Sequence, residues 1–161
     1  MVTFKWLAVA VLLLIAVASF ANEGEKLVGT WRLISFETEY QATGAREAIM
    51  GKNPTGYVIY APEGRMIMLV TGEGRKMPAT DQDRAQLWKS TLATSGMYRV
   101  EGDKLIIKVD ASSTPALVGN DHVDFFRIDG DRLQIITPWM DAPLNPERGK
   151  MRTTFTWERV K

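Results

Sequence analysis

Three short turns punctuate this chain: Pro62-Glu63-Gly64, Glu101-Gly102-Asp103 and Asp129-Gly130-Asp131. Pro sets φ for a tight turn, and Gly accepts the positive φ that such turns require. Each is flanked by runs in which apolar and polar residues alternate. A link this short joins antiparallel neighbours, because parallel strands need a crossover of about a dozen residues or more. The turns therefore constrain the chain to consecutive hairpins.

Strand-forming runs are expected at 28–37, 57–60, 65–70, 97–100, 104–110, 123–128, 132–137 and 151–160, rich in β-branched and aromatic residues. Polar or Pro-rich loops fill 38–55 and 138–149. One segment departs from the strand rhythm. Thr80 precedes Asp81-Gln82-Asp83, a capped helix start with acids at the positive end of the dipole. Ala85, Trp88 and Leu92 fall at helical spacing, and Gly96 reads as the stop, so a helix over about 81–95 is expected to pack as a lid or plug. The fold class expected is all-β with one short helix: an up-and-down antiparallel barrel of about eight strands. A barrel of eight encloses either a filled core or one small ligand.

Alternation assigns faces. Trp31, Leu33 and Ser35 share one; Val58, Tyr60, Met66, Met68 and Val70 another; Leu105, Ile107 and Val109 a third. Asp124, Phe126 and Ile128 face Leu133, Ile135 and Thr137, and Phe155, Trp157 and Arg159 lie together on the last strand. The methionines favour a cavity over a solid core, because a thioether adapts to irregular space.

The first residues read as an address. Lys5 precedes an unbroken apolar run, 6–18, and Ser19-Phe20-Ala21 places small residues at a cut before Asn22. This is a secretory signal over 1–21, too short for a membrane span of about 20 residues. Residues 22–161 then form the barrel domain, exported to a periplasm or the cell exterior. The chain of 161 residues carries 20 Lys+Arg and 19 Asp+Glu, and loss of Lys5 leaves 19 of each. So even a balance gives no electrostatic footprint for nucleic acid. With no Cys, disulfides and thiolate metal sites are excluded, and one His excludes a two-imidazole site. No cofactor is expected, and the oligomeric state is left open.

Gly29-Thr30-Trp31 resembles the Gly-x-Trp signature of lipocalins and related calycin barrels. The resemblance implies that Trp31 closes the base of the barrel under a basic side chain from the last strand, Arg159 before Lys161. A wider set of segments is similar to the bacterial and fungal lipocalin-like domain family. It comprises 27–33, 55–60, 62–66, 96–103, 129–133 and 155–160, in order along nearly the whole of the exported chain. The family implies a calycin-type barrel and small apolar ligands. This chain departs from it at two positions: Ile107 stands where the family often has His, and Asp124 where it often has Arg.

His122, in Asn120-Asp121-His122, reads as a surface residue at a loop–strand junction. Asp124 reads either outward, near Arg127 or Arg132, or inward, where a carboxylate in apolar surroundings needs a partner. Glu37, Asp110, Asp121 and Asp141 lack calcium-loop spacing, so no metal site is expected. The serines lack a nucleophile elbow. Tyr57, Tyr60 and Tyr98 have hydroxyls able to orient a polar group.

The reading that results is an exported binding module. A small hydrophobic or amphipathic molecule would sit between Tyr60, Met66, Met68, Tyr98, Ile107, Asp124, Phe126 and Trp157. The helix and the 38–54 loop would gate the mouth. One alternative is a calycin-like isomerase or cyclase with Asp124 as its acid or base. The other is a solid barrel with a partner site at 138–149, where Pro138, Pro143 and Pro146 surround Trp139 and Met140. Missing nucleophile and metal chemistry favours binding over catalysis.

Overall fold

A computed structural model describes residues 24–142 and 146–161. The expected export segment, 1–21, and its cut before Asn22 lie outside the described residues, as does Pro143. Ten strands form one antiparallel sheet. They are β1 (Gly29–Tyr40), β2 (Arg46–Glu47), β3 (Thr55–Tyr60), β4 (Arg65–Thr71), β5 (Thr91–Glu101), β6 (Lys104–Ser112), β7 (Asp121–Asp129), β8 (Arg132–Ile136), β9 (Met140–Asp141) and β10 (Lys150–Arg159). Pairing of β1 with β10 closes eight of them into a barrel, and two-residue β2 and β9 extend its rim. Closure satisfies every long strand on both edges, which removes the unpaired backbone of an open sheet.

The three turns link β3 to β4, β5 to β6 and β7 to β8, as their composition requires. Interior faces follow the alternation. Val58, Val70, Leu105, Val109, Leu133 and Trp157 are buried, and the core runs from Leu27 and Trp31 at one end to Phe36, Ile135 and Phe155.

One face needs correction. Ser35 does not share the interior with Trp31 and Leu33. The β1–β10 register shifts between Leu33 and Ser35, where a bulge inserts one extra residue. Beyond it Phe36, Thr38 and Tyr40 point inward, while Ser35 joins Glu37 and Glu39 on the outer surface.

The helix also differs from expectation. It spans only Asp81–Lys89 (α1), and β5 begins at Thr91. Thr80 does cap it: its hydroxyl accepts from the Asp83 amide at 3.1 Å, and the Asp83 carboxylate accepts from the Thr80 amide at 2.9 Å. Seven ladder positions against β4, Leu92↔Val70 among them, outweigh helical spacing at Leu92. Gly96 is no helix stop. It lies in β5 where a Cβ would come within 2.3 Å of the Lys108 carbonyl oxygen on β6, so glycine is required for close strand approach. No residue of α1 is buried and Trp88 is 61% exposed, so the helix is neither plug nor lid. Among the described residues no helix is long and apolar enough to cross a membrane.

Candidate functional site

The end of the barrel at Trp31 is closed. A helical turn over 24–27 brings Leu27 under the indole, whose Nε1 donates to the Leu27 carbonyl at 2.8 Å. From β10 the Arg159 guanidinium lies 4.0 Å above the Trp31 ring centre, and its Nη1 donates to the Val28 carbonyl at 2.9 Å. The contact combines a cation–π attraction with satisfaction of turn carbonyls. Gly29 fits this arrangement for two reasons. Its φ is +135°, and a Cβ there would stand 2.8 Å from Arg159 Nη1. Lys161 instead pairs with Asp131 at 2.9 Å.

Above this floor the barrel is hollow, with a cavity of about 240 Å³. Tyr60, Met66, Met68, Ile107, Asp124 and Trp157 all line it. Tyr98 and Phe126 do not. Tyr98 packs edge-on against Tyr60 at 5.1 Å and its hydroxyl donates to the Ala61 carbonyl at 3.0 Å, while Phe126 belongs to the packed core. Tyr57 points outward and is half exposed. The cavity's aromatic wall continues through Phe36 and Phe155, whose rings meet edge-to-face at 4.7 Å, and Phe155 stacks parallel on Trp157 at 6.0 Å. The barrel is therefore not solid.

The mouth is built by segments without regular periodicity. Ile49 from the 48–54 loop, Leu117 from a 3-10 turn at Pro115–Leu117, and Met140 and Met151 from the β9–β10 pair surround it. Of the expected 38–54 gate, Ile49 lines the cavity, whereas α1 contributes nothing to the lining. In the described part of the 138–149 loop, Trp139 and Met140 do not form the exposed apolar surface expected. Trp139 is half-buried beneath the Arg152 guanidinium at 4.6 Å, and Met140 turns into the cavity.

Asp124 faces inward and is only 5% exposed. His122 is a correction: it is half-buried and lines the same cavity. Positions 122, 124 and 126 share one face of β7, so alternation already contained this placement. His122 Nε2 lies 3.1 Å from Asp124 Oδ1, within ion-pair distance. The ring N–H is not aimed at that oxygen, so Oδ1 has no directed hydrogen bond among the described residues. Trp157 Nε1 is a second buried polar atom without a partner. Even poorly aligned, the hydrogen-bond contact with Asp124 and then the charge of that carboxylate hold the His122 pKa above its ordinary value, against the opposing pull of burial. Burial pushes the Tyr60 phenol far up, with the charge of Asp124 adding to it.

The polar groups nearer the mouth are internally satisfied. Thr153 N donates to Thr137 Oγ1 at 2.8 Å, and the Thr38 and Thr153 hydroxyls lie 3.4 Å apart. The cavity is thus an apolar, aromatic chamber with one unsatisfied acceptor and one unsatisfied donor.

Closed eight-strand order, the arginine-capped Gly-x-Trp floor and an interior cavity together point to one architecture. A family model described as lipocalin-like domain matches residues 28–160. The chain belongs to the lipocalin-like domain family. Among curated proteins nothing matches it. In this lipocalin-like barrel Ile107 stands on β6 directly opposite His122 on β7. An imidazole thus stands beside position 107, on the neighbouring strand.

Proposed function

We propose that this lipocalin-like protein is an exported carrier of one small amphipathic molecule, held in the barrel interior. The observation that carries the reading is the cavity of about 240 Å³ walled by apolar and aromatic side chains, with Asp124 Oδ1 and Trp157 Nε1 unpartnered in its surface. Such sites are mostly apolar, with a few polar groups that fix orientation. Size sets the ligand: a cavity of about 150 Å³ takes a benzene, so this one takes about ten non-hydrogen atoms. Tyr60, Met66, Met68 and Ile107 would supply the apolar contact, at about 25 cal/mol per Å² buried, and Asp124 the orienting one. Export rests on the basic–apolar–small-residue sequence of 1–21.

Trp157 lines the cavity, so its fluorescence reports occupancy. Titration with small aromatic alcohols, amines, acids and quinones should give a saturable change for at least one class. A flat response to all of them refutes the reading. The enzymatic alternative has one observation in its favour, the His122 imidazole 3.1 Å from Asp124 as a proton partner. It requires a compound that is both bound and converted, with conversion abolished and binding kept in Asp124→Asn.

A further inference from the structure

The chemistry of the lining narrows the ligand further, resting on the binding reading above. Asp124 and His122 are joined in the lining only by Tyr60 as a third titratable group; no Lys, no Arg and no second carboxylate is among the described lining residues. Across the ladder Asp124 faces Leu105, and His122 faces Ile107, so β6 offers no charge to either. A carboxylate this buried requires a counter-charge or directed donors. Among the described residues its one ion-pair partner is His122, whose ring N–H approaches Oδ1 at a poor angle. Facing the same space are the rings of Tyr60, Phe155 and Trp157. Aromatic faces attract cations and give anions nothing.

We infer that the cavity selects a small amine, bound as its ammonium, with the N–H groups on Asp124 and the carbon skeleton against Tyr60, Phe155 and Trp157. An ammonium supplies a positive charge that persists above neutral pH and three donors, of which Oδ1 takes one. It replaces His122 as the cation beside Asp124, and the imidazole then stays neutral. A carboxylate amphiphile is disfavoured by the same lining, because it would bring a second negative charge next to Asp124, with no Lys or Arg and only the already engaged His122 to receive it. A neutral alcohol satisfies the hydrogen bond but leaves the charge uncompensated.

Four probes of about ten non-hydrogen atoms separate these cases: 2-phenylethylamine, 2-phenylethanol, phenylacetate and propylbenzene. They are titrated calorimetrically into the full exported chain at about pH 8, where an alkylamine is still mostly protonated. The amine should bind at least about tenfold more tightly than the alcohol, with phenylacetate weakest. Asp124→Asn, which keeps the side-chain shape, should weaken the amine at least about thirtyfold and leave propylbenzene within about threefold. His122→Gln removes the competing cation and should hold or tighten amine binding. Alcohol or propylbenzene binding as tightly as the amine overturns this inference and leaves the carrier reading intact. So does amine binding that is unchanged in Asp124→Asn or lost in His122→Gln. No saturable binding by any of the four overturns both.

Discussion

Replacing Gly29 with alanine tests how the floor of the barrel is held. The backbone there has φ +135°, a region L side chains rarely adopt, and holding a non-glycine residue in such a conformation costs about 1–3 kcal/mol. A new Cβ would also meet Arg159 Nη1 at 2.8 Å. The guanidinium can yield only by leaving its seat over Trp31 and its bond to the Val28 carbonyl, and loss of the cation–π contact alone costs about 0.5–2 kcal/mol. The sum expected is about 1.5–5 kcal/mol. For a domain of this size that lowers the melting midpoint by about 5–15 °C. Thermal unfolding by circular dichroism reads the shift, and the cycle with Arg159→Ala separates its parts. In the Arg159→Ala background the clash is gone, so Gly29→Ala should then cost only its backbone share. A Gly29→Ala midpoint within about 2 °C of the parent would refute the conformational argument. Additivity of the two substitutions to within about 0.3 kcal/mol would refute the contact argument.

Stability should also depend on pH through one residue. The folded-state pKa of His122 is raised above its unfolded value, so its pairing with Asp124 stabilises fully below the unfolded pKa and is lost as pH rises through the folded one. Urea midpoints should therefore fall from about pH 6 upward across neutrality. Because the chain has a single His, Asp124→Asn should flatten that slope, and a slope that survives assigns it elsewhere. Thr80→Ala removes the cap of α1, an interaction worth about 1 kcal/mol. Since that helix buries nothing, amide exchange over 84–90 should quicken while the global unfolding midpoint stays put; a fall in the midpoint by the whole cap energy contradicts its independence. Met68→Phe places a larger ring in the cavity and should reduce affinity for a ten-atom ligand at least about tenfold, with the midpoint changed by no more than about 5 °C. Undiminished binding would mean that the ligand sits elsewhere.

The parts of the fold legible in sequence are those where one local rule acts alone. Hairpin turns fix which strands neighbour, and alternation along β3, β4, β6 and β8 gives their inner faces. The bulge before Ser35 shows in β1 only as a change of phase, apolar residues moving from Trp31 and Leu33 to Phe36 and Tyr40, and the pairing with β10 fixes where the extra residue sits. Helical spacing at Leu92 loses to the ladder with β4 for the same reason: the deciding bonds are to residues more than twenty positions away. Strand alternation brings Tyr60, Met66, Met68, Ile107 and Asp124 to the cavity. His122, two residues before Asp124 on β7, falls on the same face by the same period. Ile49, Leu117 and Met140 lie in segments with no repeating pattern, so only tertiary placement brings them to the mouth.

The arginine-sealed floor makes the chamber a blind tube. Whatever occupies it must leave through the same opening by which the next molecule arrives, and about ten atoms fill the space. Two occupants cannot pass each other inside. Exchange is then dissociative: the rate at which one compound replaces another is set by departure of the first and does not rise with the concentration of the second. If the proposed carrier hands its ligand on, its rim around Ile49, Leu117 and Met140 has to be turned toward the receiver.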